Sequence, residues 1–155
     1  RNGKTFPCFK FCTMVQDADR VLRELLERDP NARDEWVRTH KLVNDPRVTW
    51  IGLLLRKSSI DELPQIFNVL RGEMSLIGPR PVTVEEIARY GRAARWYYAV
   101  RPGITGLWQV SGRNSMDYKR RVALDVFYVR NRCAWLDIRI LLRTVYVVLT
   151  QAGAH

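Results

Sequence analysis

Residues 61–81 read DELPQIFNVLRGEMSLIGPRP, and their punctuation decides what kind of fold this chain can adopt. Leu63, Ile66, Phe67 and Leu70 recur at helical spacing, and Gly72 stands where a helix would stop. Pro64 constrains where that helix begins. Counted from Ser59 as N-cap, it would sit fifth and remove a backbone hydrogen bond. Counted from Asp61, it falls in the first turn, where proline is tolerated. The spacing therefore predicts a helix starting at Asp61. Residues 74–77 suit a short strand, and Gly78-Pro79-Arg80-Pro81 is a turn with little backbone freedom.

The same grammar extends in both directions. Residues 3–14 mix aromatics, Thr and Lys, which suits an extended segment or hairpin remnant. Asp17 and Asp19 open a helix carried by Val21, Leu22, Leu25 and Leu26 and stopped by Asp29-Pro30. Residues 32–40 read as a short polar helix, Asn44-Asp45-Pro46 as a turn, and residues 48–55 as a strand or a buried helix. Thr83 and Glu86 form a capping box for a basic, aromatic helix through Tyr98. Residues 101–113, RPGITGLWQVSGR, read as a glycine-rich loop, followed by helices over 117–131 and 135–149. The fold class expected is mainly α with short β segments, an α+β domain, because strands and helices do not alternate as a large parallel sheet requires.

A chain of 155 residues is one domain's worth, so residues 1–155 are read as a single domain. With 46% hydrophobic and 27% charged residues, it is neither a disordered chain nor a polytopic membrane protein. The net charge of +10 calls for an anionic partner: nucleic acid, a phosphate-bearing substrate or an acidic membrane surface. The longest stretch free of Asp, Glu, Lys and Arg, residues 144–155, is too short to span a bilayer. Cys8, Cys12 and Cys133 lack zinc-ligand spacing and read as free thiols in a reducing compartment. Arg1 is not a methionine and no signal sequence follows it, so the sequence reads as a piece of a longer chain.

Asp61 and Glu62 carry the most chemistry. At a helix N-terminus both carboxylates stay ionised, and as consecutive helical residues they diverge, so one can attack or bind metal while the other orients or relays a proton. Capping, with Glu62 reaching back to Ser59, is the competing reading. Arg80, held between two prolines, suits two-pronged phosphate binding, against a surface salt bridge as the alternative. Gly103, Gly106 and Gly112 would let backbone amides approach an anion between Arg101 and Arg113. The basic aromatic helix at 86–98 and the amphipathic one at 135–149 have the composition of interfacial membrane elements, although packing against a core explains each as well.

Taken together, DELPQ at 61–65, NVLRGEMSLIGPRP at 68–81, RPGITGLWQVSGR at 101–113, Leu124-Asp125 with Tyr128-Val129 and Asn131, Trp135-Leu136-Asp137-Ile138 and the closing Gly153-Ala154 closely resemble the bacterial sugar transferase family. These are the monotopic polyprenyl-phosphate phosphoglycosyl transferases. The resemblance implies a compact catalytic domain at the membrane surface with amphipathic interfacial helices, on the cytoplasmic face of the bacterial inner membrane. It also implies transfer of hexose 1-phosphate from a UDP-sugar to a polyprenyl phosphate, such as undecaprenyl phosphate, with release of UMP. That is the first membrane step of exopolysaccharide, O-antigen or capsule synthesis. Asp61 matches the nucleophile that carries the phosphosugar and contacts Mg²⁺, and Glu62 matches its partner. Arg80 and Arg113 match phosphate-binding positions, with Arg101 and Gly103 beside them. An anionic membrane surface is a third expected partner, nucleic acid is not one, and self-association into a homo-oligomer is left open. Two departures stand out: Cys12 occupies a position that is usually basic, and the re-entrant N-terminal helix of the family does not precede this segment. A basic nucleic-acid-binding module is the rival reading, but it explains neither the acidic pair nor Gly-Pro-Arg-Pro.

Overall fold

The computed structural model describes residues 3–39, 42–112 and 117–150. The chain divides into two compact units, one of residues 12–61 and one formed by residues 1–11 together with 62–154.

The first unit contains three helices. Helix α1 (Ala18–Arg28) ends where the sequence predicts. The Asp29-Pro30 pair that stops it also starts α2 (Pro30–Thr39): Asp29 Oδ1 accepts from the amides of Asn31 and Ala32, and proline occupies the first position, where no amide is needed. The second helix thus begins two residues earlier than expected, and His40, its predicted end, lies outside the described residues. Residues 48–55, open between strand and helix, resolve as α3 (Trp50–Lys57), capped by Thr49 Oγ1 accepting from the Gly52 amide at 2.9 Å. Gly52 is required there, because a β-carbon would lie 2.1 Å from the Thr13 carbonyl oxygen. The N-terminal stretch forms no hairpin; a single antiparallel bridge joins Met14 to Val48. Arg47, 8% exposed, meets Asp45 through both ends of its guanidinium at 2.8 and 2.7 Å and covers the Trp36 ring.

The second unit is built on two short parallel strands, β1 (Ser75–Ile77) and β2 (Gly103–Thr105), with Ser75 opposite Gly103 and Ile77 opposite Thr105. The glycine-rich stretch therefore contains a strand rather than only a loop. Helix α8 (Ala134–Thr150) packs on this pair, and Val110, Tyr128 and Ile140 form the core with Ile77, Leu107, Val129 and Leu136 around them. Tyr128 sits on α7 (Tyr118–Asn131) and donates to Asp137 at 2.9 Å, joining α7 to α8.

Thr83 caps α5 (Val84–Ala88) by accepting from the Glu86 amide. The expected continuous helix through Tyr98 is interrupted, however. Gly91, at φ +51°, starts a 3₁₀ turn at Gly91–Ala93 before α6 (Ala94–Ala99). Its aromatics divide between inside and outside: Tyr98 is exposed, whereas Tyr90 is buried, with its ring edge-on to Tyr97 and Tyr118, and its hydroxyl donates to Asp125 at 2.8 Å.

The helix within residues 61–81 differs most from its reading. Ile60–Glu62 is a 3₁₀ turn, and α4 (Gln65–Leu70) begins only after Pro64, which occupies the N-cap position. Proline needs no amide partner at the start of a helix, so the start moves to the residue that follows it. The apolar stripe also faces outward. Leu63, Ile66, Phe67 and Leu70 are exposed, whereas Gln65 and Asn68 are buried. Among the described residues, no helix is long and apolar enough to cross a membrane.

Candidate active site

Ser59 adopts φ +58°, a left-handed conformation that costs a residue with a β-carbon on the order of 1 kcal/mol. The 3₁₀ turn after it presents Asp61 and Glu62, both partly exposed.

Glu62 is the anion of a charged cluster. Its Oε1 accepts from Lys10 Nζ at 2.8 Å and stands 2.9 Å from an Arg80 guanidinium nitrogen. The carboxylate is 18% exposed, against 38% for Lys10 and 35% for Arg80. Burial alone would raise the Glu62 carboxyl, but Arg80 and then Lys10 outweigh it and hold the group below its ordinary range. Glu62 is thus a persistent anion, and the two cations it holds are far enough into solvent to meet a second anion.

The local fold explains why Arg80 is aimed. Pro79 is fully buried, and its carbonyl accepts from the Gly103 amide at 2.8 Å, while the Gly78 amide donates to the Thr105 carbonyl at 2.9 Å. A β-carbon at Gly103 would fall 2.1 Å from the Gly78 nitrogen, and one at Gly106 2.2 Å from the Gly78 oxygen. These glycines let strand β2 pass against the Gly78-Pro79 backbone. Gly103, expected among the substrate-binding residues, thus has its amide engaged in fastening the turn that carries Arg80. On the other side, the Val82 amide donates to the Tyr97 hydroxyl at 3.2 Å. Burial first, offset in part by that amide, pushes Tyr97 up to about 12. Arg101 is exposed, and its guanidinium approaches the end of α4 at Gly72. Arg113 lies outside the described residues, as does the closing Gly153-Ala154.

Lys10 has no part in the site expected from the sequence. Fifty-two positions separate it from Glu62, and no local spacing announces such a pairing. The only signal was indirect: a lysine in a stretch of aromatics and cysteines.

Among the described residues, no three of His, Cys, Asp and Glu come together as a ready-made metal cage. Mg²⁺ does not require one, since it commonly takes one or two carboxylates, keeps several waters and completes its shell with substrate phosphates. Asp61 fits such a role, while Glu62 Oε1 is engaged by two cations.

The model of the bacterial sugar transferase family matches residues 1–151. The chain belongs to that family. This family member is 54% identical over 155 residues to the undecaprenyl-phosphate galactose phosphotransferase of Salmonella typhimurium, covering 100% of the chain and 33% of that protein. It is 53% identical over 155 residues to the UDP-galactose-lipid carrier transferase of Erwinia amylovora, covering 100% and 32%. It is 50% identical over 154 residues to the exopolysaccharide production protein ExoY of Sinorhizobium fredii, covering 99% and 68%. The sugar transferase chain thus spans about a third of the Salmonella and Erwinia proteins.

Proposed function

We propose that this chain is the catalytic part of an enzyme that moves a hexose 1-phosphate from a UDP-sugar to a polyprenyl phosphate, undecaprenyl phosphate by analogy with its relatives, in exopolysaccharide or O-antigen synthesis. The observation that carries the reading is the Glu62–Lys10–Arg80 cluster directly following Asp61, a carboxylate suited to attack phosphorus.

In the first step an Asp61 carboxylate oxygen forms a bond to the β-phosphorus of the UDP-sugar. The bond from that phosphorus to the bridging oxygen breaks, and UMP leaves with the electron pair. The product is an acyl-phosphate joining the hexose 1-phosphate to Asp61. In the second step an oxygen of the polyprenyl phosphate attacks the same phosphorus, and the Asp61 carboxylate is regenerated. Arg80, with Arg101 and Arg113, spreads the charge on the phosphoryl oxygens from several directions. Mg²⁺, held by Asp61 and the diphosphate, would supply further neutralisation of that charge.

The lipid acceptor and the membrane belong to the same proposal. Leu63, Ile66, Phe67 and Leu70 are exposed immediately after the acidic pair, and Trp135, Ile138, Leu142, Val145, Tyr146 and Leu149 are exposed along α8. Such surfaces suit the interface of a bilayer, here the cytoplasmic face of the bacterial inner membrane, with the +10 charge drawn to anionic headgroups. UMP release from a panel of UDP-sugars, with Mg²⁺ and a polyprenyl phosphate, tests the proposal on the full-length protein. Multiple-turnover release that requires both the UDP-sugar and the lipid phosphate, with at most one UMP per chain when the lipid is left out, supports it; no release with any donor would overturn it.

A further inference from the structure

Asn68 is fully buried, in a helix whose apolar residues face outward. Both hydrogens of its carboxamide nitrogen and its carboxamide oxygen are engaged. Oδ1 accepts from the Phe9 amide at 3.1 Å, and Nδ2 donates to the Pro7 carbonyl at 2.8 Å and to Glu73 Oε2 at 2.6 Å. Its main-chain carbonyl accepts from the amides of Glu73 and Met74. The carbonyl of one residue and the amide of the residue two further on are the groups that an extended segment offers to a neighbouring strand. One side chain here takes the place of that strand.

The consequence lies one residue further along. With Pro7 and Phe9 fastened to α4, the Phe9 ring lies under the Arg71 guanidinium, 5.0 Å from its carbon, and Lys10 reaches Glu62. Side chains alternate along an extended segment, so Cys8 should share the Lys10 side. Cys8 is exposed, and Lys10, Glu62 and Arg80 are the charged neighbours of its thiol.

We infer that Asn68 is a positioning residue of the active site: its carboxamide holds the N-terminal segment on α4 so that Lys10 and Arg80 share Glu62 and stand ready together for the phosphates of the substrate. The functional half of this statement rests on the transferase reading, whereas the positioning half does not. An isosteric carboxylate cannot do the same work, because it has no hydrogen for Pro7 or for Glu73.

The test therefore reads the position of Lys10 without any turnover. Brief acetylation of the native chain with an activated ester, followed by mass spectrometry, gives labelling of Lys10 relative to the exposed Lys119. Asn68→Ala should raise that ratio at least threefold, while Lys10→Arg in the Asn68 background should leave the Phe9 amide as slow to exchange as before. An unchanged Lys10 ratio in folded Asn68→Ala would overturn the inference. Should Asn68→Ala fail to fold, the wild-type chain answers by itself: hydrogen exchange at Phe9 should be as slow as in α4, and exchange as fast as at the exposed Thr5 would overturn it. In the full-length enzyme, Asn68→Ala combined with Lys10→Met should lose no more UMP-release rate than Lys10→Met alone. Full multiplication of the two losses would reduce Asn68 to a purely structural role. A wild-type enzyme that releases no UMP would sink the transferase reading, yet the labelling ratio would still decide the positioning.

Discussion

Glu62 is where charge and mechanism meet at the scale of single residues. Because Arg80 and Lys10 hold its carboxyl below the ordinary range, the group's contribution to stability is fully present above the usual carboxylate pKa. It is lost as pH falls through the lowered folded value. Glu62→Gln should therefore remove part of the acid limb of the stability curve, measured by thermal melts from pH 3 to 7. It should also lower transferase activity by far more than the roughly 0.5–2 kcal/mol that loss of a cap would cost in stability. Arg80→Lys should raise KM for the nucleotide sugar about tenfold despite keeping the charge, because an ammonium cannot reproduce a planar two-pronged contact. Unchanged steady-state kinetics would reduce Arg80 to a counter-ion of Glu62. Asp61, Glu62 and Arg80 are singled out by the sequence because their residue types and neighbours are chemically unusual, and the structure pairs Glu62 with Arg80. Lys10 and Asn68 are not singled out, because their roles arise from contacts across more than fifty residues.

At the scale of elements, the sequence located most helices within a few residues but left open which face of α4 is inside. Hydrophobic periodicity reports a stripe, and the usual inference is that the stripe is buried. Here the buried side belongs to Gln65 and Asn68, and the Asn68 carboxamide has protein partners, so the apolar stripe is left outside. The glycines of residues 101–112 were legible as special but read for the wrong reason in part, since two of them accommodate backbone crossing. Gly103→Ala would place a β-carbon 2.1 Å from the Gly78 nitrogen and should destabilise the protein by roughly 1–3 kcal/mol or more, checked by chemical denaturation. The junction of α5, α6 and α7 gives a pH prediction of opposite sign to that of Glu62. Burial raises Asp125 to about 6, opposed by the Tyr90 hydroxyl and Arg121 and aided by Glu86. A raised folded pKa contributes stability that is full below the unfolded value and lost as pH rises through about 6. Asp125→Asn should flatten this component, so the melting-temperature difference between wild type and mutant should narrow or reverse between pH 5 and 7.

For the whole molecule, charge and exposed apolar surface make one claim. The chain should float with vesicles rich in anionic lipid at low salt and be recruited much less to neutral vesicles, because each Lys or Arg near such a surface contributes on the order of 1 kcal/mol. Raising the salt should release it, since the electrostatic part is screened over about 8–10 Å. A chain that stays in solution with anionic vesicles at low salt would contradict the interfacial reading. Composition alone points to an anionic partner, whereas the proposal for that partner's chemistry rests on the motifs and the family. The most direct measurement concerns the covalent step itself. Full-length protein is incubated with a UDP-sugar and Mg²⁺ without lipid acceptor, quenched, digested and mapped by mass spectrometry. The account predicts a hexose-phosphate adduct on Asp61 that disappears when polyprenyl phosphate is added and is absent from Asp61→Asn. An adduct on another residue, or undiminished UMP release by Asp61→Asn, would contradict it.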